Sequence, residues 1–140
     1  MLESATLVCD TSVVFAALDR NDPEHTRCAA LVTSSRSITV PAAVVVEVDW
    51  LARSRGAAGA IDSLLASIAD RSLNVANLDE EDYRRVRRLV QDYADLPLEL
   101  VDAAVVAIAE RLEQTRIATL DHRHFSVVRP LHVEAFELVP

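Results

Sequence analysis

The sequence predicts an α/β fold: a mainly parallel sheet of four to five strands flanked by helices. Two observations point there. Short apolar runs rich in β-branched residues alternate with longer stretches of helical periodicity, the pattern of repeated strand–helix units. Two of those runs, TLVC and IATL, end directly in an aspartate, Asp10 and Asp121. In open parallel sheets, sites form beyond the carboxyl ends of the strands, so the two acids are expected at one edge of the fold. A length of 140 residues corresponds to one domain, with no internal repeat, low-complexity segment or linker.

Taken in order, Ala5–Cys9 reads as a short buried strand. Thr11 or Ser12 is placed to cap a helix over about Val13–Leu18. RNDP is a turn, and Pro23 suits the first turn of a helix running to about Thr33. SITVP is the second strand. Helices follow over about Ala42–Ser54, ending before Gly56, and over about Ala58–Ala69. LNVANL is the third strand. The segment DEEDYRRVRRLVQDYADL opens with acids and continues with arginines, which suits the helix dipole, and its apolar stripe is Val86, Leu89, Val90 and Tyr93. LPLEL breaks the chain, VDAAVVAIAERLEQ is a buried helix with a charged end, and RIATL is a fourth strand. DHRHF is expected as a loop and HVEAFELV as a last strand, at an edge.

Composition narrows the function. Aliphatic residues must build the core, since hydrophobic residues make up 51% and aromatics only 4%. A net charge of −8 argues against holding nucleic acid by bulk electrostatics, but not against meeting phosphates through cations. All 14 basic residues are arginine, which rules out any mechanism that needs a lysine. Cys9 and Cys28 have no zinc-like spacing and are expected as free thiols in a reducing cytosol. No signal peptide and no membrane-spanning run is evident, so a cytoplasmic location is expected.

Four acids stand in apolar surroundings. Alone, Asp10 could be a helix cap or a strand-end turn residue. Glu47 shares a helical face with Val44, Val48 and Leu51, so it is expected to look toward the sheet; it could also be a snorkelling surface acid. Asp49 points elsewhere, into solvent. Asp102, in the first turn of its helix, continues the stripe of Val105, Val106 and Ala109, and alone is an ordinary N-terminal helix acid. Asp121 alone is a turn residue. Together they would repel one another unless a cation neutralised them, and oxygen-only ligands suit Mg²⁺ or Mn²⁺ rather than Zn²⁺.

The ordered set LVCDTSVVFAAL, VPAAVVVEVDWL, LELVDAAVVAIAE and IATLDHRHF resembles the PIN-domain ribonucleases. More narrowly, it resembles the VapC-type toxins of type II toxin–antitoxin systems. The resemblance spans residues 1–140 as a single PIN-like domain. It implies that Asp10, Glu47, Asp102 and Asp121 form a catalytic, metal-binding pocket. Asp10 and Asp102 would be direct ligands, with Glu47 and Asp121 completing the site directly or through water. Thr11 and Ser12 would offer hydroxyl and backbone N–H groups beside it. Some relatives carry a further acid two residues after the fourth; here that position is Arg123, a candidate for substrate phosphate along with Arg129.

The implied activity is Mg²⁺-dependent hydrolysis of RNA, with Mn²⁺ as the alternative ion. The implied partners are an RNA substrate, a small cognate antitoxin and a second copy of the chain, with no membrane. For the arginines of YRRVRRL the sequence favours a solvated helix face paired with Glu80, Glu81 and Asp92. His122 and His124 read as structural or substrate-facing, Phe125 as core, and Trp50 as core or interface. A phosphoryl-transfer enzyme with an aspartate nucleophile is disfavoured, because such enzymes usually need a lysine. A catalytically inactive PIN-like RNA- or protein-binding module and a structural metal-binding domain are the remaining rivals.

Overall fold

A computed structural model describes residues 6–140. Among them, five strands form one parallel sheet: β1 (Leu7–Cys9), β2 (Ile38–Pro41), β3 (Asn74–Ala76), β4 (Arg116–Ala118) and β5 (Glu137–Val139), in the order β3-β2-β1-β4-β5. The predicted fold class is therefore observed. Ala5, expected as the first strand residue, lies outside the described residues. Seven helices among the described residues connect the strands: α1 (Thr11–Leu18), α2 (His25–Ser34), α3 (Ala42–Ser54), α4 (Ala58–Ala69), α5 (Glu80–Asp92), α6 (Leu100–Arg111) and α7 (His122–Val127).

The strand order fixes where a site can form. From β1 the chain steps outward to β2 and β3 on one side, while β4 and β5 lie on the other. The order reverses between β1 and β4, which opens a crevice at their carboxyl ends. Asp10 follows β1 there, and its N–H extends the ladder by donating to the Ala118 carbonyl at 2.9 Å. Leu7, Val8 and Cys9 are buried, as central parallel strands require. Helix α6 is buried without interruption from Ala103 to Ala109. Its alanines let it lie close against the sheet and α5, so Asp102, one residue before that run, is carried to the crevice edge.

Some expectations change. Pro23 precedes α2, which begins at His25, and does not stand in its first turn. The DHRHF loop is a short helix, α7, because the Asp121 side chain accepts the His124 N–H and caps it. The last strand is confined to Glu137–Val139, and it does lie at an edge. Val90 is exposed and leaves the α5 stripe; the buried polar member is Asp82, whose carboxylate closes a capping box with Asp79 and receives Arg111 Nε at 2.9 Å. Phe125 is core, and Cys9 and Cys28 are free and buried. Burial pushes the Cys9 thiol up to about 12, which makes it inert. No helix among the described residues is long and apolar enough to cross a membrane.

Candidate active site

Asp10 occupies the N-cap position of α1, but its side chain makes no capping hydrogen bond. Neither Thr11 nor Ser12 is the cap: both lie in the first turn. The Asp10 carboxylate instead turns into the crevice, where Oδ2 accepts the Thr119 hydroxyl at 2.9 Å and the Ser12 hydroxyl at 3.3 Å. Each hydroxyl is itself oriented from the β4 side: Thr119 Oγ1 accepts the Asp121 N–H at 2.9 Å, and Ser12 Oγ accepts the Leu120 N–H at 3.0 Å. Two hydroxyl relays therefore join the ends of β1 and β4. Thr119 is invisible to sequence reasoning, because a threonine in an apolar strand gives no functional signal.

The four acids line a single open cleft of about 400 Å³. Asp10 is 6% exposed, and burial, aided by the charge of Glu47, raises its carboxyl above the ordinary range against the opposing hydrogen bonds. Asp102 is pushed up to about 6, chiefly by burial, with the charges of Asp10 and Asp121 adding to it. The Glu99 N–H, which donates to Asp102 Oδ2 at 3.2 Å, opposes that shift. Glu47 is half-buried on α3, as its helical register requires. Asp121 contacts the His124 imidazole, and this hydrogen bond raises the histidine's affinity for its proton. Among the described residues, Asp10, Glu47 and Asp102 have no ion-pair partner.

The cleft also holds residues that the sequence does not mark. Asp22, in the turn before α2, adds a fifth carboxylate, and Arg55 is the only cation among the described lining residues. Thr11 lines the cleft with a buried hydroxyl that has no hydrogen-bond partner among the described residues. Trp50 lines it too, at 66% exposed. Arg123 is exposed on α7 and does not line the cleft; Arg129 is exposed, and its guanidinium donates to the Ser126 carbonyl. The α5 arginines separate: Arg84 pairs with Glu80 and Glu81, while Arg85 makes a bidentate pair with Glu110 on α6, and Asp92 takes part in neither.

The donors available to a metal are thus carboxylates that line one cleft, two of them with raised proton affinity, and of these acids only Asp22 is paired with an arginine among the described residues. That donor chemistry fits a hard divalent cation. Among the described residues no three His, Cys, Asp or Glu side chains already stand in a closed coordination group, so the carboxylates line the cleft without being drawn together.

The chain matches the PIN domain family over residues 7–130. It is also 32% identical over 135 residues to Ribonuclease VapC26 of Mycobacterium tuberculosis, covering 96% of this chain and all of that protein. This chain is a PIN domain of the VapC type. Solved structures carry the same PIN-domain fold. Mycobacterium tuberculosis VapC20, described as a sarcin-ricin loop cleaving toxin, superposes with a TM-score of 0.78 at 16% identity, covering 91% of this chain and 98% of that one. A toxin–antitoxin complex from Klebsiella pneumoniae gives 0.64 at 20% identity, covering 87% and 92%. VapBC2 from Rickettsia felis, bound to a DNA fragment from its promoter, gives 0.68 at 12%, covering 96% and 99%.

Proposed function

We propose that this PIN domain is a metal-dependent endoribonuclease toxin that hydrolyses RNA phosphodiester bonds in the cleft between β1 and β4. The observation that supports this is that Asp10, Glu47, Asp102 and Asp121 all line one cleft, with two of the carboxyls raised in pKa chiefly by burial, with neighbouring acid charge adding to it. A phosphodiester is an anion, so this cleft can meet it only with a cation between them. Bound Mg²⁺ or Mn²⁺ would acidify water and stabilise charge on the phosphoryl oxygens.

Asp10 and Asp102 are the proposed ligands, and Glu47 and Asp121 complete the set directly or through water. The relays from Thr119 and Ser12, both to Oδ2, fix the Asp10 carboxylate at the cleft. Glu47 makes no hydrogen bond or ion pair to protein among the described residues, so its carboxylate is assigned to accept the proton of the attacking water. Thr11 offers its unpartnered hydroxyl beside the site. Arg123, two residues past Asp121, is assigned to phosphate outside the cleft.

The proposed partners are an RNA, a cognate antitoxin that offers Arg or Lys to the acidic cleft, and a second copy of the chain. A net charge of −8 suits a basic antitoxin arm. The test is cleavage of total RNA by purified protein with Mg²⁺, with Mn²⁺ and with EDTA, alongside Asp10→Asn, with the new 5′ and 3′ ends mapped. Cleavage that needs the cation and is lost in Asp10→Asn is expected. Cleavage that persists in a clean Asp10→Asn preparation overturns the assignment. RNA binding with no cleavage under any cation indicates an inactive module.

A further inference from the structure

The acidic cleft contains a wall with no part in holding a cation. Trp50 follows Glu47 by three residues on α3, so the two side chains leave neighbouring positions on one helix face. The indole is 66% exposed although it lines the cleft. An indole open to solvent beside a polar site offers a flat apolar face, and a ligand that covers it removes a large apolar area from water. Arg55, the C-cap residue that follows α3, also lines the cleft. Its guanidinium lies 5.1 Å from the centroid of the Phe15 ring, and its Nη1 is 3.9 Å from Asp22 Oδ2, too long for a direct hydrogen bond. The cation is therefore held by stacking and a long ion pair, with no side-chain hydrogen bond to protein among the described residues.

An exposed indole and a guanidinium held only by a stacking contact and a long ion pair line one cleft, next to carboxylates suited to a cation-bridged phosphate, and match what single-stranded RNA presents: an unstacked base, its own phosphate and the next one. Aromatic faces take splayed bases, and arginine takes phosphate. We propose that Trp50 and Arg55 form a nucleotide subsite flanking the scissile phosphate, in which one unpaired base stacks on the Trp50 indole while Arg55 binds the adjoining phosphate. The subsite requires single-stranded or loop RNA and rests on the ribonuclease reading for its place beside the scissile bond.

Trp50 is the chain's only tryptophan, so its fluorescence reports the subsite directly. The probe is a mixed-sequence single-stranded oligoribonucleotide, with an abasic phosphoribose oligomer of the same length as control, added to Asp10→Asn protein in Mg²⁺. Saturable quenching by the base-bearing oligomer but not by the abasic one is expected. In the active protein, Trp50→Ala should raise KM for RNA cleavage about 5- to 150-fold with kcat held, and Trp50→Phe should recover most of it. Arg55→Gln should weaken both oligomers and lower the salt slope of binding by about one.

Absence of base-dependent quenching, or an unchanged KM in Trp50→Ala, overturns the subsite. A concentration-dependent blue shift of the emission without RNA also overturns it, by showing that a second copy covers the indole. If the wild type cleaves no RNA yet base-dependent quenching persists, the ribonuclease reading falls and the stacking subsite stands. Cleavage without quenching removes the subsite and leaves the ribonuclease reading in place.

Discussion

The Thr119 hydroxyl donates to Asp10 Oδ2 at 2.9 Å across 109 residues of sequence, and it does so while accepting the Asp121 N–H. One buried hydroxyl thus holds the first acid and orients the backbone of the last. Thr119→Val removes both bonds and keeps the shape. It leaves a buried carboxylate short of a donor and an N–H without an acceptor, a loss of about 1–3 kcal/mol. The Asp10 carboxyl should rise further, so cleavage should fall by roughly tenfold or more and fall most at the acid end of a pH–rate profile. Thr119→Ser should restore most of the rate. Equal rates for the valine variant and the wild type across that profile would remove Thr119 from the site.

Ser12 makes the parallel relay with weaker geometry, 3.3 Å to the same Oδ2, in a less buried position. Ser12→Ala should cost about 1 kcal/mol of stability and less activity than Thr119→Val. Because both hydroxyls serve one oxygen, the double variant should not show the sum of the two effects; chemical denaturation and initial rates on the four proteins measure the coupling. Strict additivity would mean that the relays act separately.

Asp102 gives a pH signature. Its carboxyl is pushed up to about 6 in the fold, chiefly by burial, against an ordinary value of 3.8. Between those values the folded chain holds a proton that the unfolded chain has lost. The group's contribution to stability is therefore fully present below about pH 3.8 and is lost as pH rises through about 6. Asp102→Asn is free of that loss, so the difference in Tm between variant and wild type in EDTA should grow in the variant's favour between pH 4.5 and 7.5, by about 3 °C. Mg²⁺ should raise the wild-type Tm at pH 7.5 and leave the variant nearly unmoved. A difference that stays flat with pH, or equal stabilisation of both proteins by Mg²⁺, contradicts this account.

The legible parts of the fold are those written in local chemistry. Helices α3 and α4 run over Ala42–Ser54 and Ala58–Ala69 as the sequence predicts, because Pro41 ends a strand before one and Gly56, at φ +68°, separates the two. Asp10 and Asp121 are readable because each ends an apolar run, and Glu47 because its register puts it on the apolar face. Helix α7 is too short to show a period. Asp22 and Arg55 belong to a turn and a helix end that look ordinary, and only the packing of α1, α2 and α3 brings them to the cleft. Thr119 is hidden for a different reason: a buried threonine is common in strands, and its role depends on a partner on another strand.

The α5 arginines show the same limit and give a last prediction. Local spacing pairs them with acids on their own helix, and Arg84 follows that rule with Glu80 and Glu81. Arg85 does not: its Nε and Nη2 reach Glu110 Oε1 and Oε2 at 2.7 and 2.8 Å, where the carboxylate is 8% exposed and also accepts the Leu131 N–H at 3.0 Å. This pair ties α5, α6 and the segment before β5 together, on residues that do not line the acidic cleft. Arg85→Ala leaves Glu110 buried with its charge uncompensated, a cost of about 3 kcal/mol, whereas Arg88→Ala, at an exposed position, should change stability by less than about 0.5 kcal/mol. Replacing both partners, Arg85→Leu with Glu110→Leu, should recover much of the loss, since it is the stranded charge that is costly. Urea denaturation of the four proteins checks the ranking, and the rate of RNA cleavage per folded molecule should be the same in all of them. A stable Arg85→Ala variant would mean that water or another cation reaches Glu110, and a folded variant with altered cleavage would tie this pair to the site.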